Sequence, residues 1–415
     1  MCLERGAAFA VLMTFSVIAA ADDYHYMNVL IGDRATGMGG AYTAVSDDPS
    51  GMYYNPAGIV YSGKRNLSAS VNAYHSTKTV YKNVFGGDNW TRKSSALLPN
   101  FFGVTEPLGN GVLGISYAVT DSIQENQDQV VDNISANVSK LTLNLNNQDS
   151  TYKLGPSYAQ SINDHLALGI TLYLHIRNSE QIVNQQFSLS DGDYWQNSYL
   201  QTDELGVEPI LGLIWSPIDK LSIGVSLRKT SVMSESVKLQ NNCLSTSAST
   251  PCASSYNASP SNSSTKRSYP LTISLGVAYF PSDRLLYSAD FVYYEQANGV
   301  ASSHLDNYAR TKVSTWNASA GLEYYYSDRW ALRGGLYTNN SNTPRLSNSG
   351  VDQPENVNYY GLSLSLSHFT RNSSITGGFS YSTGNGKAQV ISSITNIQDV
   401  TANSLTVFLS TSYSY

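Results

Sequence analysis

Charge is scarce in this chain. Only 13% of its 415 residues are Asp, Glu, Lys or Arg, against roughly 25% in ordinary globular chains. A water-facing surface normally carries many such side chains, so the composition disfavours a soluble fold of this length. A basic excess is also lacking. The formal net charge of −6 removes the positive face that nucleic-acid binding needs. Beyond the first 21 residues no apolar run approaches the roughly 18 residues of a membrane helix. Cysteine occurs three times. Cys2 precedes the first apolar run, which leaves Cys243 and Cys252 in a Ser/Thr/Ala-rich stretch. An even pair in an exported chain reads as a disulfide. No His or further Cys lies near it, so no metal site is expected. The six histidines, His25, His75, His165, His175, His304 and His368, form no paired ligand motif, and no G-x-S-x-G elbow occurs. Neither a catalytic set nor a cofactor is expected.

What the chain has is tyrosine, 30 copies against 11 Phe and 5 Trp, with abundant Ser and Asn. A polar but poorly charged, tyrosine-rich chain fits a barrel with a lipid-facing band, aromatic girdles and a polar lumen. The N-terminus reads as an export signal over residues 1–21. Arg5 is its early cation, residues 7–20 are apolar, and Val17, Ala19 and Ala21 supply small side chains just before Asp22 and Asp23.

From about residue 65 the sequence alternates with period two. Leu166, Leu168, Ile170, Leu172, Leu174 and Ile176 form one face; Ala167, Gly169, Thr171, Tyr173 and His175 form the other. The pattern returns over 221–228, 271–278 and 360–367, with Ser, Gly, Ala and Thr opposite the apolar residues. His368 is placed on the polar face of the last of these. A face of small polar residues suits an enclosed interior better than a water-facing sheet. Short turns near 163–165, 217–220, 281–284, 327–329 and 370–373 alternate with long polar stretches at 122–140, 179–201, 233–268, 297–309, 341–355 and 384–401. Periplasmic turns and longer external loops alternate in this way in outer-membrane barrels. The expected fold is therefore an all-β transmembrane antiparallel barrel of about 14 strands over residues 65–415, the strand number being even as in single-chain barrels. The inward-facing charges, Glu208, Arg228, Asp290, Glu323 and Arg333, are lumen candidates with His175. The last strand, with Leu405, Val407, Leu409, Thr411, Tyr413 and Tyr415 on one face, resembles the signal read by the barrel-assembly machinery.

Residues 31–59 break the alternation: IGDRATGMGGAYTAVSDDPSGMYYNPAGI. A short helix is expected within 34–45, with turns at 47–51 and 55–58. Gly37-x-Gly39-Gly40 lacks the Gly-Lys-Ser/Thr ending of a phosphate loop. Arg34-Ala35, Gly37-Met38-Gly39-Gly40-Ala41, Ala44, Asp47-Asp48 and Tyr54-Asn55-Pro56-Ala57-Gly58 together resemble the N-terminal plug of the FadL/TodX superfamily, to which PorV-like barrels are related. The resemblance implies a plug over residues 22–64 inside the barrel. It also implies passive uptake of hydrophobic small molecules, such as long-chain fatty acids or aromatic hydrocarbons, with an apolar internal pocket and an opening in the wall. Gly37, Gly39 and Gly40 would allow close packing and unusual dihedrals. Arg34 would pair with Asp47 or Asp48, and Pro56 would fix the turn into the first strand. Expected partners are outer-membrane lipid, a hydrophobic ligand and the assembly machinery, with the protein a monomer. Two other readings remain: a PorV-like scaffold that docks surface proteins through the loop of Cys243 and Cys252, and an open porin, against which the plug-like segment argues.

Overall fold

The structure, a computed structural model, describes residues 24–62, 65–85, 87–135, 137–252, 261–263, 266–298, 312–350, 353–390 and 396–414. The expected signal segment 1–21 lies outside the described residues. The alternating stretches form strands β1 (Asn66–Phe85), β2 (Asp88–Leu108), β3 (Gly111–Ser135), β4 (Val138–Asn163), β5 (Leu166–Leu189), β6 (Gly192–Ile218), β7 (Leu221–Arg228) and β8 (Ser231–Ser245). They continue as β9 (Ser261–Ser263), β10 (Thr272–Ser282), β11 (Leu285–Tyr294), β12 (Thr315–Ser327), β13 (Trp330–Asn339), β14 (Asn356–Phe369), β15 (Ser373–Ala388) and β16 (Gln398–Ser414). Neighbours pair antiparallel, β16 pairs with β1, and β5 pairs with β6, so the sheet closes into a barrel. β7 and β8 are two segments of one stave: β7 pairs with the Ile210 to Ile218 part of β6 and β8 with its Tyr194 to Val207 part. The barrel thus has 14 staves. No helix among the described residues is long and apolar enough to cross a membrane.

The outward face next to the short turns is apolar. Leu168, Ile170, Leu172 and Leu174 of β5, Leu211 of β6, Leu275 of β10 and Leu362, Leu364 and Leu366 of β14 are exposed there, as a lipid-facing band requires. Aromatic side chains rim it. Tyr117 stacks on Tyr152 and Phe291 on Trp316, with ring centroids 6.2 and 5.9 Å apart. His368 also lies in this rim, edge-on to Trp330 at 4.6 Å. It therefore shares the face of Leu366, contrary to the sequence reading, because 366 and 368 have the same parity.

β3 to β6 run for 24 to 27 residues, whereas a tilted strand crosses the membrane in about 9–11. The excess stands beyond the lipid band. Segments 122–140 and 179–201, expected as loops, are mostly the paired ends of β3, β4, β5 and β6; 233–268 begins with β8 and 384–401 contains strand from β15 and β16. The reason is clearest on β4, where polarity inverts along the strand. On β4, Leu154, Pro156 and Tyr158 face outward in the band, while Lys153, Thr151, Asp149 and Asn147 are inside. Further up, Leu145, Leu143 and Leu141 are inside and Asn146, Asn144 and Thr142 outside. The protruding part is a barrel in water, so its apolar face turns inward. There Tyr81, Trp90, Leu141, Leu143, Leu145, Phe187, Tyr194, Val357 and Val400 pack into one apolar cluster that fills the outer end. Cys243 belongs to that cluster and is bonded to Cys252, with Cα atoms 5.8 Å apart.

Inside the lipid-band half, residues 24–62 fold with little regular structure: a helix at Asp33–Gly37, another at Gly51–Tyr54 and a 3-10 helix at Pro56–Ser62. The helix expected within 34–45 stops after one turn because Gly39 and Gly40 adopt positive φ, 67° and 82°.

Candidate functional site

A segment with so little helix or sheet has carbonyl and amide groups that need partners. The inner wall supplies them. Ser222 Oγ donates to the Ala44 carbonyl, Ser288 to Ala41, Ser363 to Gly37 and Thr171 to Met52. Asn100 accepts from Gly32 N at 2.9 Å and donates to the Leu30 carbonyl at 2.9 Å. Asp290 accepts from the backbone N of Tyr42 (2.9 Å) and Thr43 (2.8 Å). The wall glycines between these hydroxyls make room. A Cβ on Gly335 would lie 2.2 Å from Gly39 N, one on Gly224 2.2 Å from the Thr43 carbonyl, and one on Gly212 2.1 Å from Asn55 Oδ1. The small inner faces of the strands are thus a socket. Close packing comes as much from the wall as from the plug, where Gly37 sits against Ser365 and Gly39 against the Leu336 backbone.

Arg34 makes two hydrogen bonds to Glu323, at 2.7 and 2.9 Å, and also pairs with Asp47. Arg333 shares the same Glu323. Asp48 does not pair with Arg34; it accepts from Ser50 N at 2.7 Å and from Ser50 Oγ. Burial, and Asp33 nearby, push its carboxyl from 3.8 up to about 6. Asn55 donates to the Thr43 carbonyl and, across to the wall, to Leu213. Pro56 opens the 3-10 helix that leads toward β1, and Ala57 is fully buried beside Gly169.

Above the plug lie two chambers of about 180 and 120 Å³, both bordered by residues 27–30. The larger holds His175, Glu208, Arg228 and Asp290. Lys153 binds Glu208 at 2.6 Å, and the Arg228 guanidinium lies 4.5 Å over the Tyr53 ring. Glu204 takes Arg177 at 2.6 Å and the Tyr269 hydroxyl at 2.7 Å, with His175 at 3.6 Å. Glu323 and Arg333 sit lower, against the plug. The expected apolar pocket is instead mixed: Tyr53, Tyr54, Val29, Leu30 and Val292 alternate with charged groups, because the lumen that anchors the plug must also pair its own charges.

The wall beside the smaller chamber is breached. Among the described residues, β2 pairs with β3 only from Leu108↔Gly111 to Phe101↔Ala118. Above that point β2 remains paired to β1 and β3 to β4, and between them runs a seam without a ladder. Side chains bridge it. Arg92 holds Glu125 at 2.6 and 3.1 Å, Gln127 donates to the Lys93 carbonyl at 3.2 Å, and Gln129 donates to that of Thr91. Glu125 lines both the inner chamber and a groove on the outer surface. The lower corner of the seam is apolar, with Leu98, Phe101, Ala118 and Val119 buried and Leu97 exposed at the edge of the lipid band. The sequence held one signal for it. Pro99, in the middle of β2, cannot donate to a ladder and marks a strand edge or bulge.

The chain matches the family model described as "Outer membrane protein transport protein (OMPP1/FadL/TodX)" over residues 14–414. It belongs to the OMPP1/FadL/TodX family of the outer membrane. The barrel is similar to the crystal structure of a Pseudomonas aeruginosa FadL homologue, at 15% identity and TM-score 0.63, covering 94% of this chain and 99% of that one. It is also similar to the Pseudomonas putida toluene transporter TodX, at 13% identity and TM-score 0.64 over 94% and 100%. The Ralstonia pickettii toluene transporter TbuX follows at 14% and 0.56 over 94% and 99%. No curated protein sequence matches the chain. FadL/TodX proteins are transporters and channels, and this member is a transport protein rather than an enzyme.

Proposed function

We propose that this FadL/TodX member takes up hydrophobic small molecules passively, and that they leave the lumen sideways through the seam between β2 and β3. One observation carries this reading. Among the described residues, the partition between the inner chamber and the outer groove at that level is the Arg92–Glu125 pair, its bridging glutamines and the bond from Gln124 N to Ser94 Oγ. An axial route to the periplasm is opposed by the plug, which the wall holds at many points. The apolar corner at Leu98, Phe101 and Val119 opens at the outer leaflet, where an apolar solute gains by partitioning. Residues 1–21 serve as a cleaved export signal, residues 22–64 as a fixed plug and 65–415 as the barrel. The terminal strand guides insertion by the assembly machinery, and the protein works as a monomer. Long-chain fatty acids and aromatic hydrocarbons are the substrate classes, the latter favoured by the toluene transporters among its structural relatives. Those relatives give the scaffold reading no support.

The test is a bridge across the seam. Arg92→Cys/Glu125→Cys is closed with a short bifunctional thiol reagent, and uptake of radiolabelled toluene and of oleate is measured in cells. Uptake should fall toward the knockout level when bridged and persist in the unbridged double variant. Undiminished uptake after complete bridging would exclude the seam as the route.

A further inference from the structure

The outer face of the seam carries a feature that transport does not use. Lys78 on β1 and Lys93 on β2 are directly opposite one another in the ladder. Both side chains point outward and are exposed. Like charges in this position repel and weaken the strand pair. No ion pair among the described residues includes either ammonium. The candidate acids are already engaged: Asp128, across the groove, accepts from Asn144 at 2.7 Å, and Asp399 is bound to Lys387 at 2.6 Å. On its other side Lys78 faces Asn403. Lys82, also exposed, adds a third cation further up β1.

Their height matters. Ser76 is level with Leu405, the last apolar residue of β16 on the outward face, and Lys78 is one outward position beyond it, roughly 7 Å along the strand. Exposed Tyr74 and Leu97 lie just below. The lysines border a groove of about 830 Å³ whose other walls carry Gln124, Asn126, Gln127 and Gln148. Apolar contacts lie on the membrane side of the paired cations, and a bank of amides flanks the cations across the groove at about the same height. That arrangement fits a ligand whose acyl chains lie below a phosphorylated sugar.

We propose that Lys78 and Lys93 form a binding site for the phosphates of an outer-leaflet glycolipid. Its sugars hydrogen-bond to the amides of the groove, and its chains lie along Tyr74 and Leu97. The bound phosphate relieves the repulsion between the two ammonium groups. The inference needs only the membrane placement of the barrel, and it stands or falls separately from the route of uptake.

The experiment is native mass spectrometry of the detergent-solubilised barrel with purified bis-phosphorylated lipid A, enzymatically dephosphorylated lipid A, and inorganic phosphate. Wild-type protein should retain lipid A, and Lys78→Gln/Lys93→Gln should bind it about 30-fold more weakly, the effect expected of two cations at an anionic lipid surface. Lys387→Gln should leave binding unchanged, and dephosphorylated lipid A should bind wild type as weakly as the double variant binds the intact lipid. Heat-modifiable migration on a gel verifies that both variants are folded. Equal retention by wild type and the double variant would overturn the site. Full competition by inorganic phosphate would overturn the lipid assignment, since a bare anion would then suffice.

Discussion

The same strands obey opposite rules at their two ends. In the lipid band β4 turns Leu154, Pro156 and Tyr158 outward and Lys153 and Asp149 inward; above it Leu141 and Leu143 turn inward and Asn144 outward. The pleat is unchanged and only the surrounding medium differs. The inner contents follow. The lower half encloses a plug sewn to the wall by hydroxyls and buried ion pairs, whereas the upper half encloses a packed apolar cluster. Polarity patterning therefore reports which solvent each end of a strand meets, and the place where it inverts marks the outer edge of the membrane.

The largest effect expected is on the socket. Gly335→Leu combined with Gly276→Leu would place side chains where the plug backbone lies, 2.2 Å from Gly39 N and 2.8 Å from Ala44 N already at the Cβ. Urea unfolding from lipid vesicles should show a loss of stability larger than for any other variant below. An unchanged unfolding midpoint would mean that the plug backbone does not occupy the socket. Next, Glu323→Gln leaves Arg34 and Arg333 buried without their shared carboxylate; a loss of about 3–5 kcal/mol is expected in urea unfolding from lipid vesicles.

The third expectation contrasts the halves directly. Ile170→Arg on the lipid face should cost about 2–4 kcal/mol, while Asn144→Arg on the outward face above the membrane should stay within about 0.5 kcal/mol. Similar penalties at both sites would erase the distinction. Reducing the Cys243–Cys252 bond, nine residues apart, should cost about 2–3 kcal/mol by loop-entropy arguments. The loss should be confined to the upper half, as protection of β8 amides from hydrogen exchange would register.

The smallest effect concerns pH. Asp48 holds its proton up to about 6 in the fold, against its ordinary 3.8. The folded state thus binds more protons in this window, so stability attributable to Asp48 increases as pH falls from about 6 toward 4 and is lost as pH rises. Asp48→Asn should flatten that part of the pH profile and leave the upper half unaffected. An unchanged slope would assign the dependence to another group.

Much of this was legible. The alternation over 166–176 and 360–367, the regular short turns and the Cys pair led to a barrel with a stapled outer segment. The run from Arg34 to Gly58 pointed to a plug. The paired ends of β3 to β6 were hidden because Asn, Gln and Ser occupy many of the positions over 124–148 and 178–201, as they do in loops. Arg34 was matched to Asp47 or Asp48, of which Asp47 binds it, but Glu323, 289 residues away, could not be foreseen as its second partner.

Local chemistry alone determined that the strands would alternate, that small residues would line the interior, and that residues 31–59 would not join the sheet. All of these depend on side chains within a few residues of one another. Tertiary structure decided which glycines face the plug, where β2 parts from β3, and that Lys78 would confront Lys93. Each of these depends on register between strands, which is set when the whole sheet closes and no single segment can choose it.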